Sequence, residues 1–273
     1  MKKSVKLPHS KKFRLTAIVI LVLGFAGAFY YYRSTQVMPQ ATIYFLTDVV
    51  LPKAGQKVLV FSPHPDDETI GAGGYIMDCR ARKAQVRIVL VTDGNKHNLE
   101  RRRYGEFKKA TAILGVPAKE LVFLGYPDGK LKKLIRTGLY LALRNQIRSF
   151  DPDFVIYPHP GDHHPDHAVV GEIVQMLLRN DNRKRSDYQY LVHHPRFPQP
   201  KRLRPRLYLL PPVRMVSFDK EWRRRLLPPE VEHHKQEAVS CYKTQLRVPF
   251  LRSMLLSSVR RNELYAVDRP DDL

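Results

Sequence analysis

The chain has 273 residues, which is enough for one α/β domain of about 200 residues with appended segments. Its hydrophobic fraction of 43% excludes a globally disordered chain. The formal net charge is +21. The first 33 residues hold seven basic residues and no acid, and the rest of the chain is still strongly basic without them. Such a body either attracts anionic partners, namely lipid headgroups, anionic glycans or nucleic acid, or presents only a solvated basic surface.

The N-terminus is a basic tail, residues 1–14, followed by an uncharged segment, residues 15–32. At about 1.5 Å per residue, a helix of this length nearly spans the hydrocarbon core of a bilayer. Because Lys and Arg residues precede it, the positive-inside rule predicts a membrane anchor with the body on the non-cytoplasmic side, periplasmic or extracellular. The alternative is a signal peptide cleaved near Ala26-Gly27-Ala28, which would leave a secreted body.

Residues 33–55 are predicted to be a linker, and the body that follows alternates short apolar runs with helical patterns. Buried strands are predicted at residues 58–62, 86–92, 121–124 and 153–157. Helices are predicted at residues 71–83, 99–114, 131–150 and 169–178. This alternation predicts a Rossmann-like α/β fold, a mostly parallel sheet with helices on both faces.

The pattern weakens after residue 180. Two further strands, at 188–193 and 206–210, and a late helix at 230–242 are predicted there. The domain is therefore predicted to cover residues 56–245, with a C-terminal tail at 246–273. The two cysteines form neither a metal-binding spacing nor a disulfide framework, and we interpret both as ordinary semi-buried residues.

Two polar clusters directly follow predicted strands. The first is Pro63-His64-Pro65-Asp66-Asp67-Glu68, and the second is the run HPGDHHPDH at 159–167. Imidazole and carboxylate groups suit Zn²⁺ and similar divalent ions, and catalytic zinc usually takes three protein ligands. Ligand sites in such sheets lie beyond the carboxyl ends of the strands, so the clusters are expected to meet there. Asp66 and Asp67 cannot easily point the same way, so one can bind the metal while the other faces its water.

These motifs resemble the PIG-L/LmbE-like family of zinc-dependent N-acetylglucosaminyl deacetylases. The resemblance rests on residues 63–68 and on His164-Pro165-Asp166-His167, and it covers roughly residues 56–245. Weaker similarities lie at Thr92-Asp93-Gly94, at Arg103-x-x-Glu106 and at residues 124–129. Tyr242-Lys-Thr-Gln245 departs at two positions from the His-x-Ser-Gln signature of the family.

The resemblance implies the metal ligands and the reaction. His64, Asp67 and His167 would bind Zn²⁺, although Fe²⁺ and Co²⁺ accept the same ligands. The reaction would be hydrolysis of the N-acetyl group of an N-acetylglucosamine-type glycan or glycolipid, with metal-bound water as the nucleophile.

The resemblance also implies roles for five other residues. Asp66 would be the general base, and a protonated His164 would stabilise the oxyanion or protonate the leaving amine. Asp166 would lie beside His164 and, by contact, raise its pKa. Arg103 and Asp128 would hold the sugar.

Structural interpretations compete with several of these assignments. The ligand cluster could be a polar loop without a metal, Asp93 and Asp128 could serve only in caps or turns, and Arg103 belongs to a run of three arginines. The histidines outside the ligand set are expected to be neighbours or solvated residues; they are His159, His163, His193, His194, His233 and His234. The spacing of Gly71, Gly73 and Gly74 does not fit a nucleotide-binding loop.

Two functional alternatives remain open. One keeps the metal but cleaves a larger acyl group or a thiol conjugate, as an amidase of the same family. The other is a non-catalytic, basic, membrane-anchored protein that binds glycans. No specific nucleic acid partner is expected, because the chain carries no DNA- or RNA-binding signature and basic charge alone is weak support.

Overall fold

An eight-stranded mixed sheet runs through the body of the protein, for which the computed structural model describes residues 11–95, 98–195 and 197–269. Its strands are β1 (Thr47–Asp48), β2 (Lys57–Ser62), β3 (Gln85–Thr92), β4 (Leu121–Tyr126), β5 (Phe154–Pro158), β6 (Ser186–Tyr190), β7 (Lys220–Leu226) and β8 (Asn262–Asp268). They lie in the order β1-β7-β8-β6-β5-β2-β3-β4. All neighbours pair in parallel except β8, which is antiparallel to both β6 and β7.

Helices cover both faces of this sheet. They are α2 (Asp67–Ala81), α3 (Glu100–Ile113), α4 (Arg136–Phe150), α5 (Pro165–Arg179), α6 (Pro229–Ser240), α7 (Lys243–Leu246) and α8 (Pro249–Ser257), and a further helix, α1 (Lys11–Thr35), precedes the sheet in the chain. Side chains alternate along each strand, so Val58 and Val60 enter one core cluster, with residues of α2, α3, α6 and α8. Leu59 and Phe61 enter a second cluster with α4 and α5. Burial on both faces explains the continuous apolar runs of the central strands.

The predicted mostly parallel sheet flanked by helices is confirmed. The predicted strands at 58–62, 86–92, 121–124 and 153–157 correspond to β2, β3, β4 and β5. The strand predicted at 206–210 is wrong, because this segment is an irregular loop. Its backbone is satisfied by a side chain instead of a neighbouring strand: Leu209 donates to Asn262 Oδ1 at 2.7 Å and accepts from Asn262 Nδ2 at 3.0 Å.

The sheet also extends past the predicted domain boundary at residue 245. The described part of the predicted tail holds α8 and β8, and β8 lies between β6 and β7 inside the sheet. The sequence pattern missed β7, Lys220–Leu226, because five of its seven side chains are charged. β7 lies near the edge of the sheet, with only the two-residue β1 outside it. Most side chains of β7 are half-buried, so its charged groups reach solvent. The predicted linker likewise contains structure, a 3₁₀ turn at Gln40–Phe45 and β1.

The N-terminal helix α1 lies outside the core. Its segment Phe13–Tyr32 has a mean hydropathy of 2.0, and none of that stretch is buried in the protein. By length and composition this helix could cross a membrane, as a signal sequence could. At its C-terminal end, Arg214 Nη1 donates to the Tyr30 hydroxyl at 2.8 Å, and the guanidinium lies 4.0 Å from the Tyr30 ring centroid.

Two glycines let helices pack closely against strands β5 and β6. A Cβ at Gly171 of α5 would lie 2.4 Å from the Pro158 carbonyl oxygen, and a Cβ at Gly71 of α2 would lie 2.5 Å from the Tyr190 ring. Since real Cβ atoms essentially never make such contacts, only glycine permits this packing. These glycines serve helix packing, in agreement with the absence of a nucleotide-binding spacing.

Candidate metal centre and active site

The two polar clusters meet at one edge of the sheet, as their positions after strands predicted. His64 and Asp67 follow β2, and His167 lies in the first turn of α5, after β5. Because β2 and β5 are neighbouring parallel strands, their carboxyl ends deliver these side chains to the same point. All three are buried, with exposed fractions of 6%, 1% and 0%.

Three donor atoms of these residues form a nearly equilateral triangle. His64 Nδ1 lies 3.2 Å from Asp67 Oδ2, and His167 Nε2 lies 3.0 Å from the same oxygen. The two ring nitrogens are 3.2 Å apart. Ligands at about 2.0–2.1 Å from a tetrahedral zinc ion would be separated by about 3.3 Å. The donor set and its spacing therefore fit a divalent cation.

The ionised Asp67 favours cation binding, whereas the raised pKa values of His64 and His167 oppose it. Burial alone would raise the pKa of Asp67, but the facing His167 and His64 hold it well below its usual value. Burial lowers the pKa of His64, but hydrogen bonds to Asp166 and Asp67 outweigh it and raise this pKa to about 9. Asp67 is thus ionised, as a ligand must be, whereas a bound cation has to displace protons from the imidazoles.

Each imidazole is backed by a second carboxylate. Asp166 Oδ2 lies 3.1 Å from His64 Nε2 and accepts the Gly129 backbone N–H at 2.7 Å. Asp162 Oδ2 lies 3.4 Å from His167 Nδ1, a long contact that leaves this nitrogen without a formal hydrogen bond. Carboxylates in such positions fix the tautomer and orientation of metal-binding histidines. The arrangement leaves His64 Nδ1 and His167 Nε2 facing the common centre.

Asp166→Asn is expected to lower the affinity for a divalent metal by about 10–100-fold, because the amide cannot hold His64 with the same charge. Titration of the metal-free protein with Zn²⁺ against a competing chelator measures this change. Asp48→Asn, an exposed carboxylate on β1, is the control. Unchanged zinc affinity in Asp166→Asn would show that the second carboxylate does not support the metal centre.

Asp66 lies beside the triangle in a strained backbone conformation. Its φ of +132° and ψ of −25° fall outside the regions that non-glycine residues favour. The side chain is buried, and its Oδ2 lies 3.7 Å from Arg103 Nη2. Burial raises its pKa well above the usual range, and Arg103 counteracts part of this rise. The strain turns Asp66 away from the direction taken by Asp67, as expected for two adjacent carboxylates with different roles.

His164 differs from its predicted state. Its Nδ1 accepts the Asp166 backbone N–H at 3.3 Å, as the N-cap of α5, so its Nε2 carries the proton. Burial, followed by the charges of His64 and His167, lowers its pKa to about 4. The Asp166 carboxylate is bound to His64 and to backbone amides instead of the His164 ring. The charge of Asp166 raises the pKa of His164, as expected, but burial and the charges of His64 and His167 outweigh this effect.

Arg103 and Asp128 lie at the site but are bonded to each other. Arg103 Nη1 donates to Asp128 Oδ2 at 3.0 Å, and Asp128 Oδ1 lies 3.4 Å from His64 Nε2. Arg103 also donates to the carbonyl oxygens of Pro65 and Gly94, at 3.0 and 3.2 Å. The guanidinium is buried and joins the loops after β2, β3 and β4. In this structure the pair supports the site, and sugar binding by it remains a prediction.

His193 is a site residue that the sequence interpretation assigned to the outside. Its ring centroid lies 4.7 Å from that of His167, and it forms a potential metal-binding group with Asp67 and His167. Burial, followed by the charge of His167, lowers its pKa to about 3. A signal was present, because His193 follows β6, which neighbours β5, at the same edge of the sheet. Asp162 was missed for a different reason, since only the fold orients it toward His167.

The C-terminal Tyr242-Lys-Thr-Gln245 segment is joined to the site by hydrogen bonds to Glu68 and Glu106. Tyr242 hydroxyl donates to the buried carboxylate of Glu68, the last residue of the first motif. Thr244 Oγ1 donates to Glu106 at 2.6 Å, and the Thr244 backbone N–H donates to it at 2.9 Å. The Arg103-x-x-Glu106 pair therefore contacts the metal loops at one end and this segment at the other.

Most structural interpretations of the remaining residues hold. Asp93 Oδ1 accepts from the backbone of Asn95 and Asp128, which is a turn role. His159 stacks on Trp222 with nearly parallel rings. His233 and His234 are exposed on α6, but the adjacent Lys235 is fully buried and donates to Glu263 at 2.6 Å. Both cysteines are free.

Two curated proteins with sequences similar to this chain are both named as deacetylases. The chain is 32% identical over 139 residues to the probable N-acetyl-alpha-D-glucosaminyl L-malate deacetylase 2 of Bacillus anthracis, covering 46% of this chain and 61% of that protein. It is 33% identical over 130 residues to diacetylchitobiose deacetylase of Thermococcus kodakarensis, covering 42% and 46%. The matches thus span about half the length of these curated relatives.

A solved structure supports the fold. The N,N'-diacetylchitobiose deacetylase of Pyrococcus horikoshii superposes with a TM-score of 0.57 at 21% identity, over 78% of this chain and 84% of that chain. The sequence of residues 59–178, which hold both metal motifs, matches the family described as PIG-L: GlcNAc-PI de-N-acetylase. Residues 59–178 of this chain are therefore similar to the PIG-L family domain.

Proposed function

We propose that this chain is a metal-dependent deacetylase that hydrolyses the N-acetyl group of an N-acetylglucosamine-type glycan or glycolipid. The observation that carries the proposal is the triangle of His64, Asp67 and His167, with Asp66 and His164 beside it. Named relatives that deacetylate N-acetylated sugars support the acetyl specificity. The proposed cofactor is Zn²⁺, and the same donors accept Fe²⁺ or Co²⁺.

Asp66 is the residue that transfers the proton in this proposal. A divalent cation held by His64, Asp67 and His167 would polarise the acetyl carbonyl and acidify a water molecule. The Asp66 carboxylate accepts the proton of the attacking water, a role that its raised pKa suits. The proton then goes to the amide nitrogen, because an amine leaves poorly unless it is protonated.

His164 stabilises charge in this scheme as a neutral donor. Its Nδ1 is occupied by the Asp166 backbone N–H, so its Nε2–H is the group available to a developing oxyanion. Arg103 and Asp128 are proposed to hold the loops after β2, β3 and β4 together and also to contact the sugar. Asp166 is proposed to act on the reaction only through His64.

The N-terminal helix is proposed to be a retained membrane anchor, with the catalytic domain on the non-cytoplasmic side. The Arg214–Tyr30 contact supports this, because it joins α1 to the loop just before β7. In the same loop, the Met215 carbonyl accepts from Trp222, whose ring stacks on His159 at the start of the histidine motif. The membrane end of the helix and the site loops are thus adjacent. N-terminal sequencing of the protein recovered from membranes distinguishes an anchor from a cleaved signal peptide.

Acetate release tests the proposed function. The full chain in detergent, loaded with Zn²⁺, is expected to release acetate from at least one member of a panel of N-acetylglucosaminides, including glycolipids. A parallel panel of longer acyl chains and thiol conjugates tests the alternative of an amidase with a larger acyl pocket. A zinc-loaded protein that releases no acid from either panel would favour the non-catalytic alternative.

A further inference from the structure

Two segments without any acidic residue pack against each other beside the catalytic edge of the sheet. Residues 197–218 and 238–262 each contain five Lys or Arg residues and no Asp or Glu. The Arg202 backbone N–H donates to Ser257 Oγ at 2.7 Å, and the Arg261 backbone N–H donates to the Leu207 carbonyl at 3.3 Å. These two hydrogen bonds therefore join two basic segments, neither of which contains an acid to compensate its charge.

Arg260 is the buried centre of this region. Its side chain has an exposed fraction of 0%, and its Nη2 donates to the Pro200 carbonyl oxygen. Its Nε and Nη1 have no hydrogen-bond partner among the described residues. A buried guanidinium without a carboxylate and with at least three unused N–H groups, on Nε and Nη1, is strongly unfavourable unless something neutral or negative satisfies it.

The nearest charges around Arg260 are also positive. Lys201 is half-buried, and its Nζ donates to the Phe197 carbonyl at 2.9 Å, which leaves two of its three N–H groups without a partner in the described part of the chain. Burial and Arg260 together lower the pKa of Lys201. Burial and Arg204 together lower the pKa of Arg260 to about 10. Arg260 and Lys201 thus both carry unused donors, and nearby positive charge lowers the pKa of each, a combination that suits an oxyanion.

We propose that Lys201, Arg204 and Arg260 form an anion-binding site, separate from the metal centre, that takes a phosphate or carboxylate group. The planar N–H edge of Arg260 suits an oxyanion, and the two flanking cations add charge. An occupied site would satisfy the unused donors of Arg260 and relieve the repulsion among the three cations.

The site lies within reach of the metal centre. Phe197 links the two, because its N–H donates to the His194 carbonyl at 3.1 Å and its carbonyl accepts from Lys201. Lys201 Nζ is therefore at most about 10 Å from the carbonyl of His194, the neighbour of His193. The identity of the anion rests on the proposed deacetylase function: for such an enzyme, the anion is an acidic group of the N-acetylated substrate.

Thermal unfolding of the full chain in detergent tests the site without requiring turnover. In anion-free buffer, Arg260→Met is expected to unfold at a higher temperature than the natural chain, since it removes an uncompensated buried charge. Inorganic phosphate at ten times its Kd is expected to raise the Tm of the natural chain by about 3–6 °C and that of Arg260→Met not at all. Arg82→Met, an exposed arginine at the end of α2, is the matched control and keeps the full response.

A lower Tm for Arg260→Met in anion-free buffer, or an equal phosphate response in both proteins, overturns the proposal. Lys201→Met is the second variant, because it lies on the half-buried rim and should lose most of the phosphate response. Short-chain phosphatidylglycerol and N-acetylglucosamine 6-phosphate replace inorganic phosphate in two further arms. A response at lower concentration in one arm identifies a lipid headgroup or a sugar phosphate as the source. For an active enzyme, Arg260→Met is expected to raise KM more for the phosphorylated sugar than for the neutral one.

Discussion

Asp66→Asn is expected to lower kcat by about 10²–10⁴-fold while leaving the metal content unchanged. Asn has the size of Asp and is among the residues that best tolerate positive φ, so the strained turn at φ +132° should persist. The amide cannot accept a proton from the attacking water. Metal content is measured by mass spectrometry of the desalted protein, and kcat by acetate release from the best substrate of the panel.

Asp48→Asn serves as the control for this variant. Asp48 is an exposed carboxylate that pairs with Arg224. It lies on β1, an edge strand of the sheet, whereas the site follows the inner strands β2 and β5. It should retain both activity and metal. An Asp66→Asn enzyme with a kcat within tenfold of the natural chain would assign the base to another group, and loss of metal in this variant would make Asp66 a ligand.

His167→Gln is expected to remove the metal and abolish turnover. His167 is fully buried, and its Nε2 faces both Asp67 and His64 at 3.0 and 3.2 Å. Glutamine fills similar space but offers a weak amide ligand, so the zinc affinity should fall by at least about 100-fold. The measurement is the bound zinc per chain after dialysis against a chelator, with circular dichroism to confirm that the fold is retained.

His163→Gln is the matched control, because His163 lies in the same loop and its ring contacts His194 instead of the triangle. It should keep one metal per chain. If His167→Gln retained zinc as tightly as this control, the ion would be held by another set, of which His193 with Asp67 is the nearest.

The sequence could predict that the two polar clusters meet, because both stand directly after strands. In a parallel sheet the carboxyl ends of neighbouring strands meet, so His64 and His167 come together although 103 residues separate them. The same rule would have included His193, which follows β6. It was passed over because His193-His194 carries no motif, and a histidine pair alone does not indicate a site.

The directions of side chains could not be predicted in the same way. The resemblance implies that Asp166 lies beside the His164 ring, but α5 begins between these two residues. The first turn of α5 uses His164 as a cap and turns the Asp166 carboxylate toward His64 and the Gly129 loop. Capping and loop contacts of this kind depend on segments far apart in the chain.

The sequence by itself determined the parallel core, through apolar runs in strands buried on both faces, and the identity of the candidate ligands, through motifs at strand ends. The tertiary structure alone decided the backing of His64 and His167 by Asp166 and Asp162, and the backbone strain at Asp66. It also decided that β7 and β8 complete the sheet and that Arg260 is buried among cations. Local patterns record which face of a segment is apolar, whereas the partner of a charged group is set by whichever distant segment folds against it.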